Sequence, residues 1–449
     1  MKKHYASISI LLSALSFSCS DDSSDDPAPI TPAPQNPTPG APLTDGTCPN
    51  GTTKIDNNSR LICSLQGTYT NDLTLTQDTV WVLSGGVFVG EDRANNSVLT
   101  IEPGTTIVGQ SGADFLVINR GSQINAQGTA ESPIVFTSGK APGSRARGDW
   151  GGLIINGNAP INGCNEAVCE AEGEGNTGLY GGDQPEDNSG VLRYVRVEFA
   201  GNEITPDNEL NGIAFQGVGS GTTVEYIQVH YNADDGVEFF GGTVNAKYVV
   251  LTGNRDDSLD WVNGWTGAMQ YVLVEQADDQ ANSGIEADNL KQDQNLTPRS
   301  NPTLANMTLI GTRDEATRGG FGMHLRRGTS ARIYNSIVAN FKLECLNLDD
   351  ASTFDAGIEI YNTTLRNCGE SGAVIEEEND PYVTLDWFLR QKGNSIVNEL
   401  GPIDRFYSIE VTDGETMPED SFIEATSYQG AINGEANDWT AGWTTSVLN

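Results

Sequence analysis

The sequence predicts an all-β solenoid of stacked coils, and three observations support this fold class. Alternating apolar and polar runs recur every 22 to 23 residues, as in the segments that begin at Val224, Ala246 and Met269. Turns rich in glycine and asparagine separate these runs, and 51 of the 449 residues are glycine. None of the runs has the period of about 3.6 residues that marks a helix. One coil cannot bury its apolar face alone, so the pattern predicts a single-stranded right-handed parallel β-helix.

Two other repeat architectures fit this spacing less well. A β-propeller blade needs about 40 residues, and a leucine-rich repeat needs a leucine framework that the chain lacks. Equivalent positions of the repeats instead carry tyrosine or asparagine. They are Tyr194, Tyr226, Tyr248 and Tyr271, and also Asn232 and Asn254.

Residues 1–18 have the features of a bacterial lipoprotein signal peptide. Lys2 and Lys3 precede an apolar run that is too short to cross a bilayer as a helix, and Cys19 follows it. The next residues, SDDSSDD, resemble the acidic export tag of Bacteroidetes lipoproteins. We therefore expect cleavage before Cys19, lipidation of Cys19, and a protein held on the outer membrane by lipid alone, facing the cell exterior.

The rest of the chain divides into three parts by composition. Residues 19–45 are acidic and rich in proline, which predicts an extended tether. Residues 46–400 are assigned to the β-helix with an N-terminal cap. Residues 401–449 lose the repeat and are assigned to a C-terminal capping segment, in which Trp439 and Trp443 are expected to cover the final coil.

Six cysteines follow Cys19, and an even number in an exported chain indicates disulfides. Spacing alone does not fix which cysteine joins which. The cysteines nearest in sequence form the pairs Cys48–Cys63, Cys164–Cys169 and Cys345–Cys368. The chain has no Cys-x-x-Cys motif and three histidines, which argues against a zinc site.

The formal net charge of −36 excludes unaided binding to nucleic acid or to other polyanions. The partners that remain are cations, neutral glycans, anionic glycans bridged by a divalent metal, or another surface protein. The chain is expected to be a monomer. For many of these acids, solubility is a sufficient explanation.

Three acidic pairs recur along the repeat with a spacing of 22 residues, beginning at Asp234, Asp256 and Asp278. A further acid, Glu238 or Asp260, lies four residues after the first acid of each of the first two pairs. Equivalent residues of successive coils stack, so we expect Glu238, Asp260 and Glu286 to form a ligand-binding row that continues to His324. Oxygen-rich turns suit calcium, in a site assembled across coils. The alternative is that these residues only stabilise turns. The predicted metal ligands are Asp234, Asp235, Asp256, Asp257, Asp278 and Asp279.

Aromatic residues lie one coil apart beside these acids, namely Phe239, Phe240, Trp261 and Trp265. Exposed rings would stack on sugars, and we include Trp261 and Trp265 among the candidate ligand-binding residues. Rings that point inward would instead belong to the core, which is the commoner place for such residues. The sequence leaves both possibilities open.

Four motifs resemble a broad group of bacterial surface lipoproteins to which no activity is assigned. They are GDWGGL at residues 148–153, DNSGVLRYVRVE at 187–198, NGIAF at 211–215 and WTAGWT at 439–444. This resemblance implies the β-helical fold and the surface location. It implies no reaction.

The predicted architecture is also similar to that of pectate lyases and polygalacturonases. That similarity implies candidate catalytic residues on one face, namely Asp234, Asp256, Asp257, His324 and Arg326. Three functions therefore follow from the sequence. The leading one is a non-enzymatic binding or adhesion module for glycans or a partner protein, with calcium. The others are a polysaccharide-degrading enzyme, either a glycoside hydrolase or a polysaccharide lyase, and an accessory lipoprotein of an outer-membrane uptake receptor.

Overall fold

The structure is a computed structural model, and the predicted signal peptide, the predicted tether and Cys19 lie outside its described residues. It describes residues 46–55, 61–164, 166–205, 208–279, 281–312, 320–369, 372–374, 383–398, 403–417 and 422–445.

In chain order the strands are β1 (Thr53–Ile55), β2 (Leu61–Tyr69), β3 (Leu73–Leu75), β4 (Thr79–Val89), β5 (Val98–Ile101), β6 (Thr106–Gly109), β7 (Phe115–Ile118), β8 (Gln123–Gln127), β9 (Ile134–Ser138), β10 (Gly152–Asn156), β11 (Ala171–Glu172), β12 (Leu179–Tyr180), β13 (Gly190–Glu198), β14 (Asn202–Thr205), β15 (Asn208–Leu210), β16 (Ile213–Gln216), β17 (Thr223–His230), β18 (Val237–Phe240), β19 (Asn245–Thr252), β20 (Leu259–Val262), β21 (Ala268–Glu275), β22 (Ile285–Ala287), β23 (Thr303–Ile310), β24 (Met323–Leu325), β25 (Arg332–Tyr334), β26 (Ile337–Ala339), β27 (Leu346–Leu348), β28 (Glu359–Tyr361), β29 (Thr364–Arg366), β30 (Ser395–Val397), β31 (Ile409–Glu410) and β32 (Tyr428–Gln429). The helices are α1 (Ala351–Asp355) and α2 (Thr384–Arg390), with 3-10 turns at Glu174–Asn176 and Glu435–Asn437.

These strands form three parallel sheets that run along a solenoid, which confirms the predicted parallel β-helix. Sheet 1 contains the end of β2 and of β4, then β7, β10, β16, β18, β20, β22, β24 and β27. Sheet 2 contains β3, β5, β8, the first halves of β13, β17, β19, β21 and β23, then β25 and β28. Sheet 3 contains the start of β2 and of β4, β6, β9, the second halves of the same long strands, then β26, β29 and β30.

A single left-handed residue forms the corner between sheets 2 and 3 in successive coils. Bulky L-residues rarely adopt this conformation, whereas asparagine tolerates it. The positions with φ between 50° and 62° are Tyr194, Tyr226, Tyr248, Tyr271, Asn306, Asn335 and Asn362. The last two asparagines are joined by a side-chain hydrogen bond of 2.8 Å, which ties neighbouring coils together.

The interior of the solenoid is filled by alternating residues of all three sheets in one continuous core. Helix α2 covers one end of this core, because Phe388 is fully buried in it. At the other end, β1 pairs antiparallel with β2. A helix at one end of the solenoid and a short antiparallel strand at the other therefore cover the ends of the core.

Residues 403–417 and 422–445, which we call the flank segment, lie along the flank of the solenoid instead of covering its final coil, so the prediction for Trp439 and Trp443 was wrong. The side chain of Asn362 contacts Glu415 near one end of this flank segment. Thr445 bonds Gln228 at the other end, many coils back. Polar groups at the left-handed corner need partners outside the coil, and the flank segment supplies them.

The structure contains the three disulfides between cysteines that are nearest in sequence, Cys48–Cys63, Cys164–Cys169 and Cys345–Cys368. Among the described residues, no helix combines the length and apolar character needed to cross a membrane.

Candidate functional site

The predicted row of side chains on sheet 1 is present in the structure. Parallel pairing places Glu238 beside Asp260, and Asp260 beside Glu286. The same register continues to His324 and Asn347. Because adjacent strands lie about 4.8 Å apart, three carboxylates follow one another at that spacing. We call Glu238, Asp260 and Glu286 the acidic row.

The turns that enter sheet 1 bring a second set of acids beside the acidic row. One oxygen of Asp235 accepts a hydrogen bond of 2.9 Å from the backbone N–H of Asp257, one coil further on. Asp257 in turn accepts a bond of 2.6 Å from the N–H of Ser283. The sequence left open that these acids only stabilise turns. Such turn hydrogen bonds use one oxygen of each of these two carboxylates.

Carboxylate oxygens from the turns and the acidic row converge in three overlapping groups. In each group, one oxygen from every member lies within 4.8 Å of the others. Asp235 and Asp260 each belong to two groups, so the groups form one continuous patch. The groups are Asp234, Asp235 and Asp256; Asp235, Glu238 and Asp260; and Asp257, Asp260 and Glu286.

The third acidic pair does not join this patch, so the assignment of Asp278 and Asp279 as metal ligands was wrong. Asp279 forms an ion pair of 2.5 Å with Arg147, and Asp278 accepts a hydrogen bond from Thr312. The coil is longer by four residues here, because the register pairs Leu259 with Ile285. Asn282 and Ser283 therefore take the places that the pair would have occupied.

Burial makes this patch electrostatically costly. Burial, with repulsion from Glu209 and Asp256, raises the pKa of the Asp234 carboxyl to about 8. Burial also raises the pKa of Glu174 to about 7, with a contribution from Glu209. Four further carboxyls have a pKa well above the ordinary value, first because of burial and then because of neighbouring acids. They are Asp235, Glu238, Asp257 and Asp260.

Two buried oxygen atoms at the patch lack a hydrogen-bond partner among the described residues. Oδ1 of Asp260 is buried and unpaired. Asn211 is 1% exposed and donates its Nδ2 to Glu238 at 2.6 Å, which leaves its Oδ1 unpaired beside the acidic row. A buried acceptor without a donor is unfavourable, so both atoms indicate a missing positive or donating group.

The outer face of sheet 1 changes character along the solenoid. The column that carries the acidic row begins with apolar residues, since Ile154 pairs with Ala214 and Ala214 with Glu238. The insertion between β10 and β13 covers this apolar part, where Tyr180 packs on Phe240 at 6.1 Å. Glu174 of the same insertion reaches the acidic patch.

Basic residues appear at the far end of the acidic row. Arg326 forms ion pairs with Glu286 and with Asp288, the latter at 2.8 Å. Arg327 pairs with Asp288 at 2.5 Å. Burial opposes ionisation of Glu286, but His324 and Arg326 outweigh it and lower its pKa. Burial likewise opposes ionisation of Arg326, but Asp288 and Glu286 raise its pKa.

The tryptophans assigned to sugar stacking are core residues, so that assignment was wrong. Trp261 and Trp265 are both 0% exposed inside the solenoid. The Trp261 ring N–H donates to the hydroxyl of Thr329 at 3.0 Å, and Trp265 stacks on Phe239 at 4.0 Å. Side chains alternate along a strand, so the outward position of Asp260 requires its neighbour Trp261 to point inward.

The structure thus brings together Asp234, Asp235, Asp256 and Asp257 with the acidic row, and it places His324 and Arg326 at one end of that row. Sequence reasoning missed Asn211, Glu174 and Asp288. Asn211 precedes Ile213 by two residues, as Asp235 precedes Val237, and this repeat position was the signal available for it.

Residues 67–444 match the family described as pectate-lyase-like beta-helix domains. The match covers most of the chain, so the chain belongs to that family. Comparison with curated proteins and with solved structures found no match. Membership defines the fold, and the chemistry of the acidic patch follows from its own residues.

Proposed function

We propose that this chain is a lipid-anchored surface binding module whose acidic patch holds calcium. The observation that carries the proposal is the convergence of buried carboxylates in the absence of any described salt bridge to Asp235, Glu238 or Asp260. Two unit charges at about 5 Å repel by about 1 kcal/mol in water and by about 3 kcal/mol at an effective dielectric constant of 20. A divalent cation converts this repulsion into attraction.

The donor set fits calcium better than other metals. All donors in the patch are carboxylate or amide oxygens, and calcium takes six to eight such ligands in flexible geometry. The chain supplies them from several coils, with Asp260 shared by two of the three oxygen groups. Magnesium demands a smaller and more regular octahedron, so we expect weaker binding of magnesium.

The ion would also explain how an acidic protein engages a ligand. A calcium ion with open coordination positions can bridge protein carboxylates to glycan oxygens or to acidic groups of a partner protein. Asp235 is 8% and Glu238 9% exposed, so the carboxylates are accessible to an ion but not to a whole sugar ring. Lipidation at Cys19 and the outer-membrane location belong to the same proposal and rest on the sequence.

Calorimetric titration of calcium into metal-free protein tests the proposal. We expect saturable binding, with a dissociation constant between about 10⁻⁶ and 10⁻³ M, and an increase in the melting temperature. Asp260→Asn removes a donor shared by two groups and should weaken binding by about tenfold or more. Calcium at about 10 mM is roughly tenfold above the weakest dissociation constant expected. Absence of binding heat and of any change in melting temperature at that concentration would contradict the proposal.

Asp278→Asn is the matched control for Asp260→Asn. The sequence spacing assigns Asp278 to the same series of acids, whereas the structure places it outside the patch, bonded to Thr312. Calcium affinity should therefore be unchanged in Asp278→Asn. A loss of affinity equal to that of Asp260→Asn would show that general negative charge, and not the patch, attracts the ion.

Hydrolysis of a glycosidic bond is a second candidate, and one specific observation favours it. Asp260 and Glu286 are adjacent in the register, and their environments move their pKa values in opposite directions. A protonated acid next to an ionised carboxylate is the arrangement used by retaining glycosidases, at a separation of about 5 Å. A lyase mechanism fits less well, because ion pairs keep Arg326 protonated and unsuited to act as a base.

Incubation with neutral and uronic-acid polysaccharides separates this candidate from simple binding. New reducing ends would indicate hydrolysis, and unsaturated products would indicate lyase activity. If the enzyme exists, Asp260→Asn and Glu286→Gln should each abolish turnover. Turnover that persists in both variants would exclude this pair as the catalytic residues.

A further inference from the structure

A cavity lies away from the acidic patch, where the flank segment meets the left-handed corner. Its volume is about 360 Å³. Its wall combines aromatic rings with amides and contains no charged residue. The lining residues are Tyr226, Tyr248, Tyr271, Tyr428, Asn433, Asn437 and Trp439.

Three rings of the tyrosine column line this cavity, namely Tyr226, Tyr248 and Tyr271. We use the name tyrosine column for Tyr194, Tyr226, Tyr248 and Tyr271. Consecutive rings lie 4.4, 4.3 and 5.0 Å apart with interplanar angles of 16° or less. The faces of the inner rings are therefore occupied by neighbouring rings, and their hydroxyl-bearing edges remain for a ligand.

Tyrosine is an expensive choice at this corner. A left-handed backbone is unfavourable for bulky L-residues, and asparagine tolerates the conformation better. The same corner carries Asn306, Asn335 and Asn362 further along the solenoid. Asparagines would therefore have served the fold at the tyrosine positions too. Strained residues concentrate at functional sites, and here the strained positions carry tyrosines that line the cavity.

The flank segment supplies the opposite wall and holds it in place. Trp439 lies at 64° to Tyr248, with 5.3 Å between ring centroids, and its ring N–H donates to the Ala431 carbonyl at 3.0 Å. Asn433 and Asn437 are exposed beside it, and the Asn437 amide donates to the Asn433 carbonyl. An amphipathic aromatic platform and amide groups thus face one volume.

The hydroxyl groups keep hydrogen-bonding capacity for a ligand. The hydroxyl groups of Tyr226 and Tyr248 are hydrogen-bonded to each other, and so are those of Tyr271 and Tyr428. A bond between two hydroxyls uses only one of their two protons, so the Tyr226–Tyr248 pair keeps one proton to donate and lone pairs to accept. Tyrosine edges, amides and a tryptophan ring match the hydroxyls and the apolar C–H face of a sugar.

The surrounding charges exclude an anionic ligand. Glu424 accepts a bond from Tyr271 at 3.5 Å, and Lys247 is paired with the same Glu424 at 2.8 Å. A carboxylate sugar would meet a negative side chain and no unpaired cation in the cavity wall. A cation would prefer ring faces, which the stack occupies.

We propose that this cavity binds a neutral pyranose sugar, either free or as one residue of a glycan. The proposal does not depend on calcium at the acidic patch. It gives the glycan-binding role a location that the buried Trp261 and Trp265 cannot provide.

Saturation-transfer NMR on the full chain in EDTA tests this proposal with four probes, the methyl pyranosides of glucose, galactose, mannose and fucose. We expect at least one probe to bind with a dissociation constant below about 10 mM. Glucuronate or galacturonate should bind at least tenfold more weakly than the matching neutral sugar. The sugar affinity should be the same with calcium and with EDTA.

Three variants decide whether binding occurs in this cavity. Trp439→Ala should reduce affinity about tenfold or more, and Tyr248→Phe and Asn437→Ala should each reduce it by about threefold. Tyr361→Phe is the control, because Tyr361 lies outside the cavity in a tilted ring pair with Tyr334, at 5.6 Å between centroids. Melting curves identify any variant that loses the fold, and Tyr248→Phe preserves the ring packing.

Failure of all four probes to bind would overturn the proposal. Binding that survives both Trp439→Ala and Tyr248→Phe in folded protein would also overturn it, since the sugar would then occupy another surface. Loss of calcium binding with retained sugar binding would contradict only the proposed role of the acidic patch.

Discussion

The acidic row and the tyrosine column are built by the same repeat, yet their energetics are opposite. Each consists of equivalent side chains at successive coils, about 4.8 Å apart. Stacked tyrosines attract, by about 0.5–1.5 kcal/mol per pair, and offset the strain of their left-handed backbone. Stacked carboxylates repel when they are ionised. A solenoid therefore repeats, at every coil, the attraction or repulsion between identical side chains on neighbouring coils.

This difference indicates which of the two columns needs a partner. The tyrosine column is complete within the protein, with Trp443 packed at 5.6 Å from Tyr194 and 6.1 Å from Tyr226. The acidic row is not, because among the described residues Glu238 and Asp260 form no ion pair, and the first member that does is Glu286, with Arg326. The proposed cation would therefore neutralise the row as its acids ionise, whereas the proposed sugar at the tyrosine column would be an added ligand.

The largest expected effect concerns the core on which both columns rest. Trp261→Ala leaves a cavity directly inside the acidic row and should reduce the free energy of unfolding by about 3–5 kcal/mol. Chemical denaturation measures this loss. Trp439→Ala, on the half-buried flank, should cost clearly less. Equal losses in the two variants would contradict the assignment of Trp261 to the core.

The next effect tests the end of the acidic row where the charge is neutralised. Arg326→Met removes the cation that pairs with both Glu286 and Asp288 and should reduce stability by about 2–3 kcal/mol in EDTA. Calcium should restore part of the loss.

Arg193→Met is the control for that variant, because Arg193 also pairs with a glutamate, Glu225, at 2.6 Å. The Arg193 pair is more exposed, so its removal should cost less than about 1 kcal/mol. A similar cost for both variants would show that the charges at Arg326 are screened by solvent.

A smaller effect of opposite sign is expected within the row. Asp260→Asn removes one of the stacked charges and should increase stability in EDTA at pH 8 by about 1–2 kcal/mol. In calcium the same variant should be less stable than the unmodified chain. Destabilisation by Asp260→Asn in both buffers would mean that the row is already neutralised within the protein.

The smallest effect is expected in the tyrosine column. Tyr248→Asn removes two stacking contacts and relieves the strain of the left-handed backbone, so the net change should be below about 1 kcal/mol. Thermal denaturation at one pH is sufficient to measure it. A loss above about 3 kcal/mol would mean that stacking contributes far more than is typical of aromatic pairs.

The sequence predicted the solenoid and the stacking of Glu238, Asp260, Glu286 and His324, because both follow from a repeat of constant length. It failed where the length changes. An insertion of four residues moved Asp278 and Asp279 out of the row, and a count along the sequence cannot tell a longer turn from a continued series. Alternation along β20 would have placed Trp261 inward once Asp260 was assigned outward.

Long-range packing was the part that the sequence could not predict. The flank segment returns along many coils, so that Trp443 contacts Tyr194 across a large separation in sequence. No local pattern encodes this path, because it depends on which corners of the solenoid expose unsatisfied side chains. The cavity beside Trp439 was missed for the same reason.

The pH dependence of thermal stability with and without calcium tests the central claim most directly. The folded-state pKa of Asp234, about 8, lies above its ordinary value of 3.8. The folded protein therefore holds that proton more tightly, and stability in EDTA should be highest below about pH 4 for this group and fall as the pH rises toward 8. We predict a melting temperature that decreases from pH 5 to pH 8 in EDTA and changes much less in calcium. Identical pH profiles with EDTA and with calcium would contradict the account.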